Sequence, residues 1–197
     1  MRRTIIPSPI GDIHCEQFGE ASSDAIIWFF GAGGGFGGPA GGVYTRLGEQ
    51  LANEQIGSLC VDYTRPGYLQ PCVADASEAI DYLSHRGAKR ILLVGHSFGG
   101  AVVIRAGLAR DAVAGVAALS SQTAGTEGVQ RLSPRPLLLI HGENDEVLSV
   151  WCSRDIYRRA KKPKQIIVYP GCLHGLDQCA TQLDRDLMGW IRRAFAP

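Results

Sequence analysis

Apolar positions along the chain come in two rhythms. Continuous runs at 25–30, 58–63, 91–94, 113–120, 136–140 and 165–169 read as strands covered on both faces, because a strand with one wet face alternates apolar and polar residues. Between them, helical spacing is predicted over 43–55 (Leu47, Leu51), 73–86 (Ala76, Ala79, Ile80, Leu83), 101–109, 150–159 and 176–195. Two short segments, 4–6 and 13–18, flank Pro7-Ser8-Pro9-Ile10-Gly11-Asp12 and read as an antiparallel opening pair. Strands alternating with helices predict a parallel sheet with helices on both faces, in which ligands sit beyond the carboxyl ends of the strands. No repeat or linker divides residues 1–197, so a single domain is expected.

Bulk properties narrow the partners. The 197 residues are 45% hydrophobic, enough for a core that buries roughly 70% of the unfolded chain's surface. Twenty basic and nineteen acidic side chains give a net charge of +1, and the one basic run, Arg158-Arg159-Ala160-Lys161-Lys162, suits a solvated helix C-terminus, so nucleic acid is not an expected partner. The first residues hold two arginines without a signal-like apolar run, and nothing approaches the roughly 20 apolar residues of a membrane span, so a cytoplasmic protein without membrane contact is expected. The six cysteines form no C-x-x-C pair and are expected to be reduced core thiols. A metal site would require Cys172, His174 and Cys179 to converge, and none is expected.

Chemistry concentrates at Gly95-His96-Ser97-Phe98-Gly99-Gly100, between the 91–94 strand and the 101–109 helix. G-x-S-x-G in that context is a nucleophile elbow: the serine sits on a strained turn, and the positions two before and two after it have no room for side chains. A serine needs a base to take its proton and a third group to orient the base. Of five histidines, His14 lies in an early strand and His85 ends a surface helix. His96 adjoins the serine and points away, and His141 braces the loop that follows it. His174, after the last strand in Gly171-Cys172-Leu173-His174-Gly175, is the expected base. In His141-Gly142-Glu143-Asn144-Asp145-Glu146, Asp145 has the best placement for the orienting acid; Glu143 and Glu146 are expected to be solvated, and the rival Asp177 to cap the closing helix.

These motifs, with the glycine loop after Trp28-Phe29-Phe30, resemble the α/β-hydrolase superfamily from about Ile5 to the C-terminus, most closely its small, lid-less members similar to dienelactone hydrolases and compact carboxylesterases. The resemblance implies a mostly parallel sheet of about eight strands, an acyl-enzyme mechanism without a cofactor, and a small-molecule ester or thioester as substrate. Dienelactone hydrolases proper carry cysteine where this chain has Ser97. Phe30-Gly31 replaces the His-Gly that often opens the oxyanion loop, and backbone N–H groups of Ala32 and Phe98 are expected to form the hole, with Gly33 as alternative to Ala32. The distal glycines, 37–42, read either as backbone that approaches substrate or as a flexible loop. Gly33, Phe36, Tyr68, Val147 and Trp151 follow strand ends and are candidates for pocket walls. Residues 121–135 are too few to form a lid. A catalytically silent ligand-binding or interaction module is the alternative, and a cofactor-free haloperoxidase or an acyltransferase would use the same three groups.

Overall fold

The computed structural model describes residues 1–20 and 22–196. Among them the chain runs β1 (Arg2–Ile6), β2 (Ile13–Phe18), β3 (Asp24–Phe29), α1 (Pro39–Asn53), β4 (Gly57–Val61), α2 (Leu69–His85), β5 (Arg90–His96), α3 (Phe98–Gly107), β6 (Val113–Leu119), β7 (Leu137–Gly142), α4 (Trp151–Arg159), β8 (Lys164–Tyr169) and α5 (Ala180–Phe195). The strands form one eight-stranded sheet in the order β1-β2-β4-β3-β5-β6-β7-β8. β2 is antiparallel to both β1 and β4, and β3 to β8 are mutually parallel.

The continuous apolar runs are divided by the two-residue period of a strand. Ile27 and Phe29 of β3, with Ile91 and Leu93 of β5, face a core shared with α2, α3 and Ile156 of α4. Ile26, Trp28, Leu92 and Val94 face the opposite core, built with α1 and α5. The central strands are therefore covered on both sides, and polar chemistry is left to the ends of the strands. Between β6 and β7 the chain forms only a four-residue 3₁₀ turn, Val129–Leu132, and no lid. Among the described residues no helix is long and apolar enough to cross a membrane.

Several helix boundaries differ from the expected ones, among them α3, which starts at Phe98 rather than 101. α2 starts four residues early, at Leu69, with Cys72 N–H donating to Tyr68 O at 3.1 Å; Pro71 falls in the first turn, where a missing N–H leaves no helical bond unmade. α1 runs Pro39–Asn53 against the expected 43–55, but Ala40, Gly41 and Gly42 have left-handed backbone, so its regular part begins at 43. The last helix begins at Ala180 rather than 176, because Leu176 turns left-handed (φ 60°) and a short 3₁₀ turn precedes the helix.

Gly48 brings α1 close to the sheet: a Cβ there would lie 2.9 Å from Cδ2 of the buried Phe18 and 3.2 Å from Ser58 Oγ. Alanine is favoured over glycine in a helix interior by about 1 kcal/mol, but overpacking a fixed core costs about 1–3 kcal/mol. Sterics should prevail, so Gly48→Ala is expected to lower the urea midpoint at unchanged slope; a raised midpoint would show that the helix can shift outward freely.

Candidate active site

β5 ends at His96, α3 begins at Phe98, and Ser97 between them holds φ 57° and ψ −120°. Its N–H donates to Leu119 O on β6 (2.8 Å) and its carbonyl accepts from Gly100 N–H (3.0 Å), which fixes the turn at both ends. The glycines around it answer to close backbone contacts. A Cβ on Gly95 would strike the Gly99 carbonyl, one on Gly99 would strike the Phe30 carbonyl, and one on Gly100 would fall 2.5 Å from Ser121 Cβ. The steric demand expected at Gly95 and Gly99 is present, and it extends to Gly100.

His174 lies in the loop after β8. Its Nε2 is 3.0 Å from Ser97 Oγ and its Nδ1 is 2.8 Å from Asp145 Oδ2. An ionised carboxylate only accepts, so Nδ1 carries the proton and Nε2 presents its lone pair to the serine hydroxyl. Asp145 follows β7 in a tight turn in which Oδ1 accepts from Val147 N–H (2.9 Å) and Leu148 N–H (2.7 Å). Its side chain is fully buried. Burial opposes the charge, but the hydrogen bonds from Leu148, His174 and Val147 outweigh it and hold the carboxyl below its ordinary range. Ser97, Asp145 and His174 are thus brought together, from the ends of β5, β7 and β8.

The other candidates sort differently. Asp177 makes no side-chain cap: it opens the 3₁₀ turn, and Cys179 occupies the N-cap of α5. Glu146 is exposed but not merely solvated, since it accepts from His174 N–H at 3.0 Å; Glu143 is exposed. Phe36 is half-buried and lines a cavity of about 320 Å³ with Ile5, His14 and Asp62, to which Ser97, Asp145 and His174 do not contribute. Tyr68, Val147 and Trp151 are exposed at 69%, 62% and 68%, Trp151 at the start of α4, and Gly33 faces open space. The loop after β3 passes beside the serine: a Cβ on Gly31 would lie 3.6 Å from Ser97 Cβ. Among the described residues the N–H groups of Ala32, Gly33 and Phe98 donate to no protein acceptor, whereas Gly34 N–H donates to Gly31 O (3.1 Å) and Gly35 N–H to Asp62 Oδ1 (2.7 Å). The distal glycines are tied down as well, with Ala40 N–H donating 2.7 Å to Gly175 O beside His174.

Two features were not expected. Cys172 and Cys179 are joined by a disulfide, Cα–Cα 6.0 Å, which corrects the reading of all six cysteines as thiols and leaves neither sulfur for a metal with His174; Cys15, Cys60, Cys72 and Cys152 are free. The left-handed Leu176 and the 3₁₀ turn fold the chain back between the two cysteines, and their flanking of His174 was the available signal. The second feature is the contact made by His96. Its ring turns from Ser97 and packs 4.8 Å from the His174 ring and 5.5 Å from Phe30, with Nε2 3.0 Å from His174 O. Burial pushes its pKa down to about 4.

Residues 25–184 match the Dienelactone hydrolase family. YfhR of Escherichia coli, an uncharacterised protein, is 31% identical over 126 residues, 51% of this chain and 44% of that one, so the match spans less than half of the relative. Among solved structures, Est1E from Butyrivibrio proteoclasticus is similar over the whole of both chains (TM-score 0.82, 16% identity). A dienelactone hydrolase from Anabaena variabilis aligns over 98% of this chain and 96% of its own (0.82, 14%). The esterase domain of a Rhodothermus marinus protein aligns over 98% of each (0.76, 18%). At these identities the structures establish the α/β-hydrolase fold.

His96 gives the site a pH signature in stability. The folded chain keeps it neutral down to about 4, while the unfolded chain protonates it below ~6.5. Unfolding therefore takes up a proton in that window, and stability falls as pH drops through it, by at most about 3 kcal/mol from this group. Urea titrations at pH 6.5 and 4.5 should show a smaller loss for His96→Gln than for the natural chain; equal losses would mean that His96 is not held neutral.

Proposed function

Because the chain belongs to the dienelactone hydrolase family, we propose that it is a serine hydrolase that cleaves carboxylic esters or thioesters of small to medium size through an acyl-enzyme intermediate. The observation that carries this reading is the chain of contacts from Ser97 Oγ to His174 Nε2 (3.0 Å) and from His174 Nδ1 to Asp145 (2.8 Å), in the protonation pattern that general-base activation requires. Ser97 Oγ attacks the carbonyl carbon while its proton passes to His174 Nε2. Asp145, held ionised by its own hydrogen bonds, stabilises the resulting imidazolium. The oxyanion is received by the free N–H groups of Phe98 and Ala32. His174 then delivers its proton to the departing alcohol or thiol as the acyl–heteroatom bond breaks. Water repeats the sequence on the acyl-enzyme, releasing the acid and restoring Ser97.

A serine in place of the family's cysteine suits ordinary esters, since an alkoxide formed under a general base needs no pre-formed thiolate. Support for a compact substrate comes from the 121–135 connection, whose short 3₁₀ turn leaves the strand ends unroofed, and from the exposed Tyr68, Val147 and Trp151. A related solved structure is of Est1E with ferulic acid bound, a compact aryl acid.

An ester panel tests the proposal. On p-nitrophenyl esters, kcat/KM should be highest for short acyl groups, because each CH₂ left in water forgoes ~0.8 kcal/mol of binding. Ser97→Ala should lose roughly 10³-fold or more in kcat. Values that climb steadily from butyrate to palmitate below the aggregation limit would contradict the compact site, and a variant as active as the natural chain would contradict the nucleophile.

A further inference from the structure

The acid of the triad is gripped from both sides. Asp145 Oδ1 is filled by two backbone N–H groups, and Oδ2 lies 2.8 Å from His174 Nδ1 and 3.0 Å from a second imidazole nitrogen, His141 Nε2. Three N–H groups hydrogen-bond this carboxylate, those of Val147, Leu148 and His174, and the His141 edge adds a close electrostatic contact at Oδ2. His141 stands on β7 and has no exposed surface. The same Nε2 donates to Leu148 O at 2.8 Å, across the turn that carries Asp145. On the other edge of the ring, Nδ1 lies 2.7 Å from Oγ of Ser153, which comes from α4 and is also fully buried.

The protonation pattern follows from the partners. Both neighbours of His141 Nε2 are acceptors, so that nitrogen carries the proton. Nδ1 is then a lone pair, and the Ser153 hydroxyl must donate to it. Ser153 and His141 stand to Asp145 on one side as Ser97 and His174 do on the other, with five side chains in one line of contacts. Unlike His174, the inner histidine reaches no open space where a reacting atom could sit.

We propose that His141 and Ser153 are a positioning pair that fixes the Asp145 carboxylate toward His174, Ser153 locking the His141 ring and His141 Nε2–H holding the Leu148 carbonyl of the acid turn while lying 3.0 Å from Asp145 Oδ2. This rests on the hydrolase reading above. The other titratable groups close to this line are His96, behind His174, and Glu146, on the His174 backbone N–H. Burial lowers the pKa of His141, so it acts as a neutral donor. Its N–H draws charge from Oδ2; without it, that oxygen would bind the proton on His174 Nδ1 more tightly, and a larger fraction of the base would be protonated at a given pH.

The test uses the full chain, labelled with ¹⁵N-histidine, and p-nitrophenyl acetate as substrate. His141→Leu removes the donor, His141→Gln restores an amide N–H at similar reach, and Ser153→Ala frees the ring. In the natural chain, ¹⁵N shifts should assign a proton to His141 Nε2 and none to Nδ1. His141→Leu should lose roughly tenfold to a hundredfold in kcat with little change in KM, as expected for a misplaced catalytic group. The acid limb of its pH profile should rise by roughly 0.5–1 unit, the equivalent of one ordinary hydrogen bond. His141→Gln should recover most of both, and Ser153→Ala should move both less, in the same direction. A folded His141→Leu with the natural profile, or a glutamine variant no better than leucine, overturns the proposal. Should His141→Leu not fold, Ser153→Ala decides: an unmoved acid limb and an unmoved His174 Nδ1–H resonance overturn it. If the natural chain hydrolyses no ester, the hydrolase reading fails separately, and displacement of that resonance in Ser153→Ala and His141→Gln still supports the positioning role, while an unmoved resonance refutes it.

Discussion

Everything at the site depends on the backbone of one residue. Ser97 is held at φ 57°, in a region that L-residues with side chains avoid at about 1–3 kcal/mol. That conformation persists because the surroundings over-determine it. β5 lies between β3 and β6, Ser97 N–H is fastened to Leu119 O, and Gly95 and Gly99 allow backbone to pass where a side chain would collide. The result is a hydroxyl raised beyond the sheet, with the first N–H of α3 free beside it. A relaxed serine at the same place in the sequence would not meet His174 Nε2.

The facing side is built by tying loops together. The His174 loop is held to the acid loop by Asn144 N–H on Cys172 O and by His174 N–H on Glu146, and to the glycine-rich segment by Ala40 N–H on Gly175 O. The disulfide closes its base. His174 is therefore braced from three directions, and Asp145 is held by the N–H groups of Val147, Leu148 and His174. Catalytic geometry that is fixed in advance does not have to be assembled at the moment of reaction.

Much of this was legible in the chain. The apolar runs gave the strands because central parallel strands are buried on both faces, and Ser97, Asp145 and His174 were found from their places just past strand ends. What escaped was set by turns. The left-handed Leu176 moved the start of α5, took Asp177 from the helix cap and brought Cys172 to Cys179, none of which side-chain periodicity encodes. Sequence position makes Tyr68, Val147 and Trp151 candidate walls, yet they stand largely in solvent, and Phe36 lines a cavity at the sheet edge. His141 is legible as a brace, but the Ser153 hydroxyl on its other edge, twelve residues away on a different element, is not.

We propose that the strained turn and the His174–Asp145 pair make Ser97 selectively nucleophilic. A fluorophosphonate, which reacts with activated serines, addresses it without knowledge of the natural substrate. Intact mass and peptide mapping should find one adduct, on Ser97, formed quickly in the natural chain and far more slowly in His174→Gln. No adduct, or adduct formation in Ser97→Ala at the natural rate, would contradict the account.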